Sequence, residues 1–197
     1  MVQRKTAEIT TEQIKELRAR TGAGIVDCRN ALQQAGGDIE RAVEILRAKG
    51  LATAEKKAGR AATEGLIEAY IHTGGKVGAM VEVNCETDFV ARTDEFRRLA
   101  RDLAMQVTAS VPRYVNREEI PAEVVEKQRA LFAQELAEKP AAAVEGRLAK
   151  WYQDVVLLEQ PFIKDESKTV RDIITDAVAR IGENIQIRRF TRFRIGE

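Results

Sequence analysis

Between Thr10 and Gly50 the apolar residues recur at helical spacing, and the recurrence breaks at glycines. Thr10 with Gln13 makes a capping-box pattern ahead of Ile14 and Leu17. Thr21-Gly22-Ala23-Gly24 stops that helix, and Ile25, Cys28, Leu32 and Ala35 then share one face of a second. Gly36-Gly37 ends it. Asp38 is a good N-cap for a third helix with Ile39, Ala42, Val43 and Leu46 in one stripe, and Gly50 stands where a C-terminal glycine belongs. The pattern predicts a compact three-helix module, small enough to be marginal alone.

Residues 51–63 are rich in alanine and charge with almost no large apolar side chain, which suits an exposed helical or flexible connector. The period then changes to two. Ile67, Ala69 and Ile71 alternate with Glu68, Tyr70 and His72, and Ala79, Val81 and Val83 alternate with Met80, Glu82 and Asn84. Facing the two apolar sets pairs Ile71 with Ala79, Ala69 with Val81 and Ile67 with Val83, leaving Gly74, Gly75 and Lys76 as the hairpin loop. This register sets Glu68 opposite Glu82, a mild conflict unless both are solvated.

Three further helices are predicted. The first carries Phe96, Leu99, Ala100, Leu103 and Val107, the second opens at Pro121 and the third near Ala142. Thr169 with Asp172 caps a last helix that Gly182 stops. Ile185, Ile187, Phe193 and Ile195 then alternate with Gln186, Arg188, Arg192 and Arg194, a strand that completes a three-stranded antiparallel sheet with the hairpin. The expected fold class is α+β. Its divisions are a helical module over 1–54, a connector over 55–63 and an α+β core over 64–197.

Composition narrows the function classes. With 44% hydrophobic residues in 197, the chain can bury a core, and 32 basic against 31 acidic residues leave a charge of +1. No global field marks a nucleic acid or membrane partner, and neither is expected. Two cysteines without a signal-like start over Met1 to Thr10 suggest reduced thiols in a cytoplasmic protein. No uncharged run approaches the roughly 18 apolar residues that span a bilayer.

Chemistry is hard to place. His72 is the one histidine, and the expected register separates it from Cys85 by roughly 23 Å, so the two form no dyad. Cys28 and Cys85 both fall on apolar faces and read as buried thiols. Histidines and cysteines are too few for a zinc site. Gly22-Ala23-Gly24 follows a helix and lacks a third glycine and a P-loop lysine, so direct nucleotide binding is not expected. Arg188, Arg189, Arg192 and Arg194, interleaved with Phe190 and Phe193, resemble a nucleic-acid-binding strand, but their parity is that of a half-buried strand. Nothing points to catalysis or to a cofactor.

The joint Glu86-Thr87-Asp88-Phe89-Val90-Ala91-Arg92 is the unabsorbed feature, because turn chemistry calls for no phenylalanine there. Periodicity leaves two roles open for Phe89, a staple against the residues near Phe96 or a side chain held out for a partner.

Several blocks, in order, resemble the elongation factor Ts family. They are Leu17-Arg18, Thr21-Gly22-Ala23-Gly24, Asp27-Cys28, Ala31-Leu32, Glu64-Gly65, Tyr70-Ile71-His72, the run Val83 to Ala91, and Gln160-Pro161-Phe162-Ile163-Lys164-Asp165. The resemblance implies a guanine nucleotide exchange factor for elongation factor Tu, with an N-terminal module like a ubiquitin-associated domain. It implies that Thr87, Asp88, Phe89 and Val90 dislodge the magnesium ion of that partner. The turn Thr21, Gly22, Ala23, Gly24, Ile25, Val26 and Asp27 would dock on its GTPase domain. Many members have two methionines where this chain has Ile25 and Val26. Long members also carry a second half of the core and a coiled-coil insertion, so this chain resembles the short form, which implies a homodimer. Two rival functions remain, a stand-alone peptide- or ubiquitin-binding module and a thiol enzyme using Cys85.

Overall fold

The structure, a computed structural model, describes residues 9–137 and 139–197. The reading of Met1 to Thr10 as lacking a leader falls, up to Glu8, outside the described residues. Internal packing divides the chain into two compact units. One comprises the described residues up to Ala61 with Thr175–Ile185; the other is Ala62–Ile174 with Gln186–Glu197.

The first unit contains helices α1 (Thr11–Thr21), α2 (Ile25–Ala35) and α3 (Ile39–Lys57). Leu17, Cys28, Ala31, Leu32, Ala35 and Ala42 form its buried core. The capping box is present: Thr10 Oγ1 accepts from Gln13 N at 3.2 Å, and Thr10 N donates to Gln13 Oε1 at 3.0 Å. Asp38 caps α3 by accepting from Arg41 N at 3.0 Å. Contrary to expectation, α3 does not stop at Gly50 but runs on to Lys57. The residues beyond it, Leu51-Ala52-Thr53-Ala54-Glu55-Lys56-Lys57, are mostly good helix formers. Gly50 is buried inside the helix, and a Cβ there would lie at an ordinary contact distance of 3.5 Å from Ala179 Cβ, so this glycine does not act as a terminator. Asn184, also buried, donates to the carbonyls of Ala58 and Arg60 at 3.4 and 2.7 Å, tying down the chain that leaves α3.

The second unit is built on strands β1 (Glu64–Ile71), β2 (Val77–Cys85) and β5 (Gln186–Arg194), in the antiparallel order β1-β2-β5. Helix α4 (Asp88–Ala91) follows β2, and helix α5 (Asp94–Ser110) packs on β1 and β2. Helices α6 (Ala122–Glu135) and α7 (Ala141–Val155) pack on each other, and strands β3 (Pro161–Phe162) and β4 (Asp165–Thr169) pair ahead of helix α8 (Val170–Ile181). Together the units make an α+β protein. Phe96, Leu99, Ala100, Leu103, Ala104 and Val107 are the buried side of α5, facing Ala79, Val81, Val83 and Cys85 of β2.

The hairpin register differs from expectation by one residue. Ile71 pairs with Gly78, Ala69 with Met80, Ile67 with Glu82 and Leu66 with Val83. The turn decides it: Gly75 N donates to His72 O at 2.9 Å with Gly74 at φ +93°, a type II turn, and His72 N to Val77 O at 2.9 Å closes a four-residue loop. A one-residue slip exchanges the faces of a strand. Leu66, Glu68 and Tyr70 therefore share the face of buried Val81 and Val83, while Ile67 and Ile71 stand 65% and 71% exposed on the other. The expected clash of Glu68 with Glu82 vanishes. Glu68 pairs with Arg101 at 3.2 Å, and Glu82 pairs with Arg189 at 2.7 Å.

β5 also departs from simple alternation. Glu82 pairs with Arg189 and Val83 with Ile187, so Arg188 is the extra residue of a β-bulge. Beyond it the parity flips. Arg192 lies opposite buried Ala79 and donates to Thr108 O at 3.2 Å, and Phe193 turns outward beside Ile71 and Met80.

The block from Gln160 to Asp165 has a structural role. Buried Gln160 donates to the carbonyls of Ser110 and Asp154 at 3.1 and 2.9 Å, and its Oε1 accepts from buried Gln106 at 3.2 Å. Gln106 Oε1 in turn accepts from Ile163 N at 2.9 Å. These two amides satisfy backbone groups where α5, α7 and β3 meet.

Candidate functional site

Two consecutive threonine caps build the joint after β2. Thr87 Oγ1 accepts from Val90 N at 3.4 Å and opens α4; Thr93 Oγ1 accepts from Phe96 N at 3.3 Å and opens α5. Thr93 also donates its hydroxyl to Val90 O at 2.8 Å, locking the end of one helix to the start of the next. The connection is thus a single helical turn, where the sequence suggested an irregular joint. Val90 and Ala91 are buried, and α4 packs on β1 and β2.

That turn leaves Phe89 78% exposed, whereas Phe96 is fully buried. Phe89 is therefore not a staple for its own helix. Asp88 forms an exposed pair with Arg92 at 2.6 Å. Thr87, Asp88, Phe89 and Val90 are brought together, with Asp88 and Phe89 turned to solvent and Val90 used as the anchor. Behind them Cys85 Sγ donates to Thr87 O at 3.1 Å.

In the other unit, the turn from Thr21 to Asp27 is equally ordered. Gly22 has φ +69° and caps α1, its N–H donating to Arg18 O at 2.8 Å. A Cβ there would come to 3.0 Å from Arg180 Cδ. Thr21 Oγ1 donates to Leu17 O at 2.8 Å and accepts from Ala23 N at 3.3 Å, Ala23 packs on the core, and Gly24 is the N-cap of α2. Ile25 and Val26 are exposed, and Asp27 pairs with Lys49 of α3 at 2.5 Å.

The thiols offer no nucleophile. Cys28 and Cys85 are both buried, and burial pushes the Cys28 thiol above its ordinary value. Cys85 lies opposite Glu64, at the far end of the hairpin from His72. Among the described residues no group of three or more His, Cys, Asp or Glu is placed to hold a metal ion, and no helix is long and apolar enough to cross a membrane.

Sequence reasoning missed the supporting side chains. Thr93 was signalled by a repeated threonine-acid pattern, Thr87-Asp88 and Thr93-Asp94. Lys49 and Arg180 carried no local signal, because each meets its site from a distant helix.

The sequence model described as Elongation factor TS matches residues 2–197. The chain belongs to the elongation factor Ts family. It is 60% identical to an elongation factor Ts of Carboxydothermus hydrogenoformans, across 96% of this chain and 90% of that one. Relatives of that name from Thermotoga petrophila and Caldanaerobacter subterraneus are 55% and 56% identical, each across 96% of this chain and 98% of their own length. Membership in the elongation factor Ts family makes this protein a translation elongation factor.

Proposed function

We propose that the protein is a guanine nucleotide exchange factor that binds elongation factor Tu and promotes GDP release, with Phe89 as the wedge. The observation that carries this reading is a large apolar side chain left 78% exposed on a turn whose two following residues are buried. Such a side chain is presented rigidly, so little ordering entropy is lost when a partner covers it.

Exchange makes no bond and needs no cofactor of its own. A factor that prefers the nucleotide-free partner lowers nucleotide affinity by the same factor by which nucleotide lowers its own. Burying a phenylalanine contributes about 1.5–3 kcal/mol, worth a roughly 10- to 150-fold shift when only one state of the partner accepts it. Phe89 would separate the loops around the magnesium and phosphates, and Asp88 would disturb the metal electrostatically. Thr87 and Val90 hold the wedge in place. Exposed Ile25 and Val26, beside Asp27 on the turn that begins at Thr21, would supply apolar contact with the GTPase domain. The chemistry suits a cytoplasmic factor acting on a protein partner, without direct contact to nucleotide or nucleic acid.

The same reading includes a homodimer. The face of the sheet opposite α5 presents Ile67, Ile71, Met80 and Phe193, an exposed apolar cluster on strands that a second copy would cover. The test of the exchange reading is GDP release from elongation factor Tu with the wild-type chain and with Phe89→Ala. Loss of most stimulation by the variant is expected, and full stimulation would exclude Phe89 as the wedge.

A further inference from the structure

Beside β5 the second unit holds a recess of about 610 Å³. Val115 and Phe190 give it an apolar lining, and Arg113, Arg188 and Arg189 stand around it with Glu82 and Glu119. The two acids are already engaged. Glu119 accepts from Val115 N at 2.9 Å and from Asn116 Nδ2 at 3.1 Å, and Glu82 is paired with Arg189. Arg113 and Arg188 differ from Arg189: neither makes an ion pair or a side-chain hydrogen bond among the described residues.

Two backbone irregularities put these guanidiniums there. Arg188 is the unpaired residue of the β5 bulge, and a bulge re-aims the side chain it carries. Arg113 stands two residues after Val111, the one non-glycine residue with positive φ among those described, at +51°. A β-branched residue in the left-handed region is strained, and such strain persists only where the surroundings hold it. They do: Arg113 N and Tyr114 N donate to Val155 O at 2.8 and 3.1 Å. Like charges at one recess repel each other, and neither of these two is offset by an ion pair of its own among the described residues.

We infer that this recess binds a small organic phosphate, with Arg113 and Arg188 on the phosphate and Phe190 and Val115 against the rest of the molecule. Guanidinium forks match phosphate oxygens and hold them through charge-assisted hydrogen bonds. The volume falls within the roughly 300–1,000 Å³ usual for small-ligand sites. A nucleic acid strand fits less well, because Glu82 and Glu119 stand among the arginines at the recess and interrupt a basic track.

Calorimetric titration of the full chain with phenyl phosphate at low salt tests the assignment. Saturable one-site binding is expected, weakened about tenfold or more by Arg113→Gln and by Arg188→Gln. Arg188→Lys retains part of the affinity, and Arg194→Gln, outside the recess and paired with Glu197, leaves it within about twofold. The arginines replaced are exposed, and circular dichroism matching the parent shows that each variant is folded. Absence of saturable binding at millimolar ligand overturns the inference. So does equal loss in Arg194→Gln, which would mean diffuse charge, or tighter binding of a single-stranded oligouridylate, which would mean a nucleic acid surface.

Discussion

Phe89 and Phe96 belong to consecutive helices and have opposite fates, one exposed and one fully buried. Phe96→Ala is expected to lower unfolding stability by about 3–5 kcal/mol, the usual result of emptying a buried aromatic site. Phe89→Ala should leave the urea midpoint within experimental scatter. Equal loss from both, in a urea titration, would place Phe89 in the core and remove the wedge. The sequence identified Phe96 as a core residue because it begins an apolar stripe. Phe89 stayed ambiguous because no periodicity says which way the single residue of a short turn points. The two thiols were easier: Cys28 and Cys85 share their faces with leucines and valines, and both are buried.

At the scale of elements, the longer helices and the third strand were legible from apolar spacing, and helix caps from Thr10, Asp38 and Thr169. The register of β1 on β2 was not. Leu66 and Ile67 are both large and apolar, so either face of β1 could have been the inner one, and the type II turn at Gly74 chose. The short β3–β4 pair and α4 were too brief to show a period. Two glycines make opposite predictions, and the first of them separates the reading from the structure. Because Gly50 lies inside α3 with room for a Cβ at ordinary contact distance, Gly50→Ala should raise stability by about 0.5–1 kcal/mol. A terminating glycine would respond in the opposite direction. Gly65→Ala should be strongly destabilising, since φ is +145° and the new Cβ would sit 2.2 Å from Val83 O. Urea titration of both variants gives the two signs.

For the whole molecule, the sequence carried the family through ordered motif blocks spread along the chain, and the structure adds which of them are scaffold. Gln160 and its neighbours knit the core, whereas Asp88 and Phe89 stand in solvent. The outer sheet face belongs to this scale too, because Ile67, Ile71 and Phe193 meet there only after the register slip and the bulge. In sedimentation equilibrium the wild-type chain should run as a dimer, and Phe193→Lys with Ile71→Lys as a folded monomer; a monomeric wild type would refute the dimer. On the proposal made above, this fold presents Phe89 in order to release nucleotide from elongation factor Tu. The most direct test of that role is the rate at which labelled GDP leaves elongation factor Tu with no factor, with the wild-type chain and with Phe89→Ala. Strong acceleration by the wild type is expected, with loss of most of it in the variant. A variant as active as the wild type, or a wild type that leaves the rate unchanged, would contradict it.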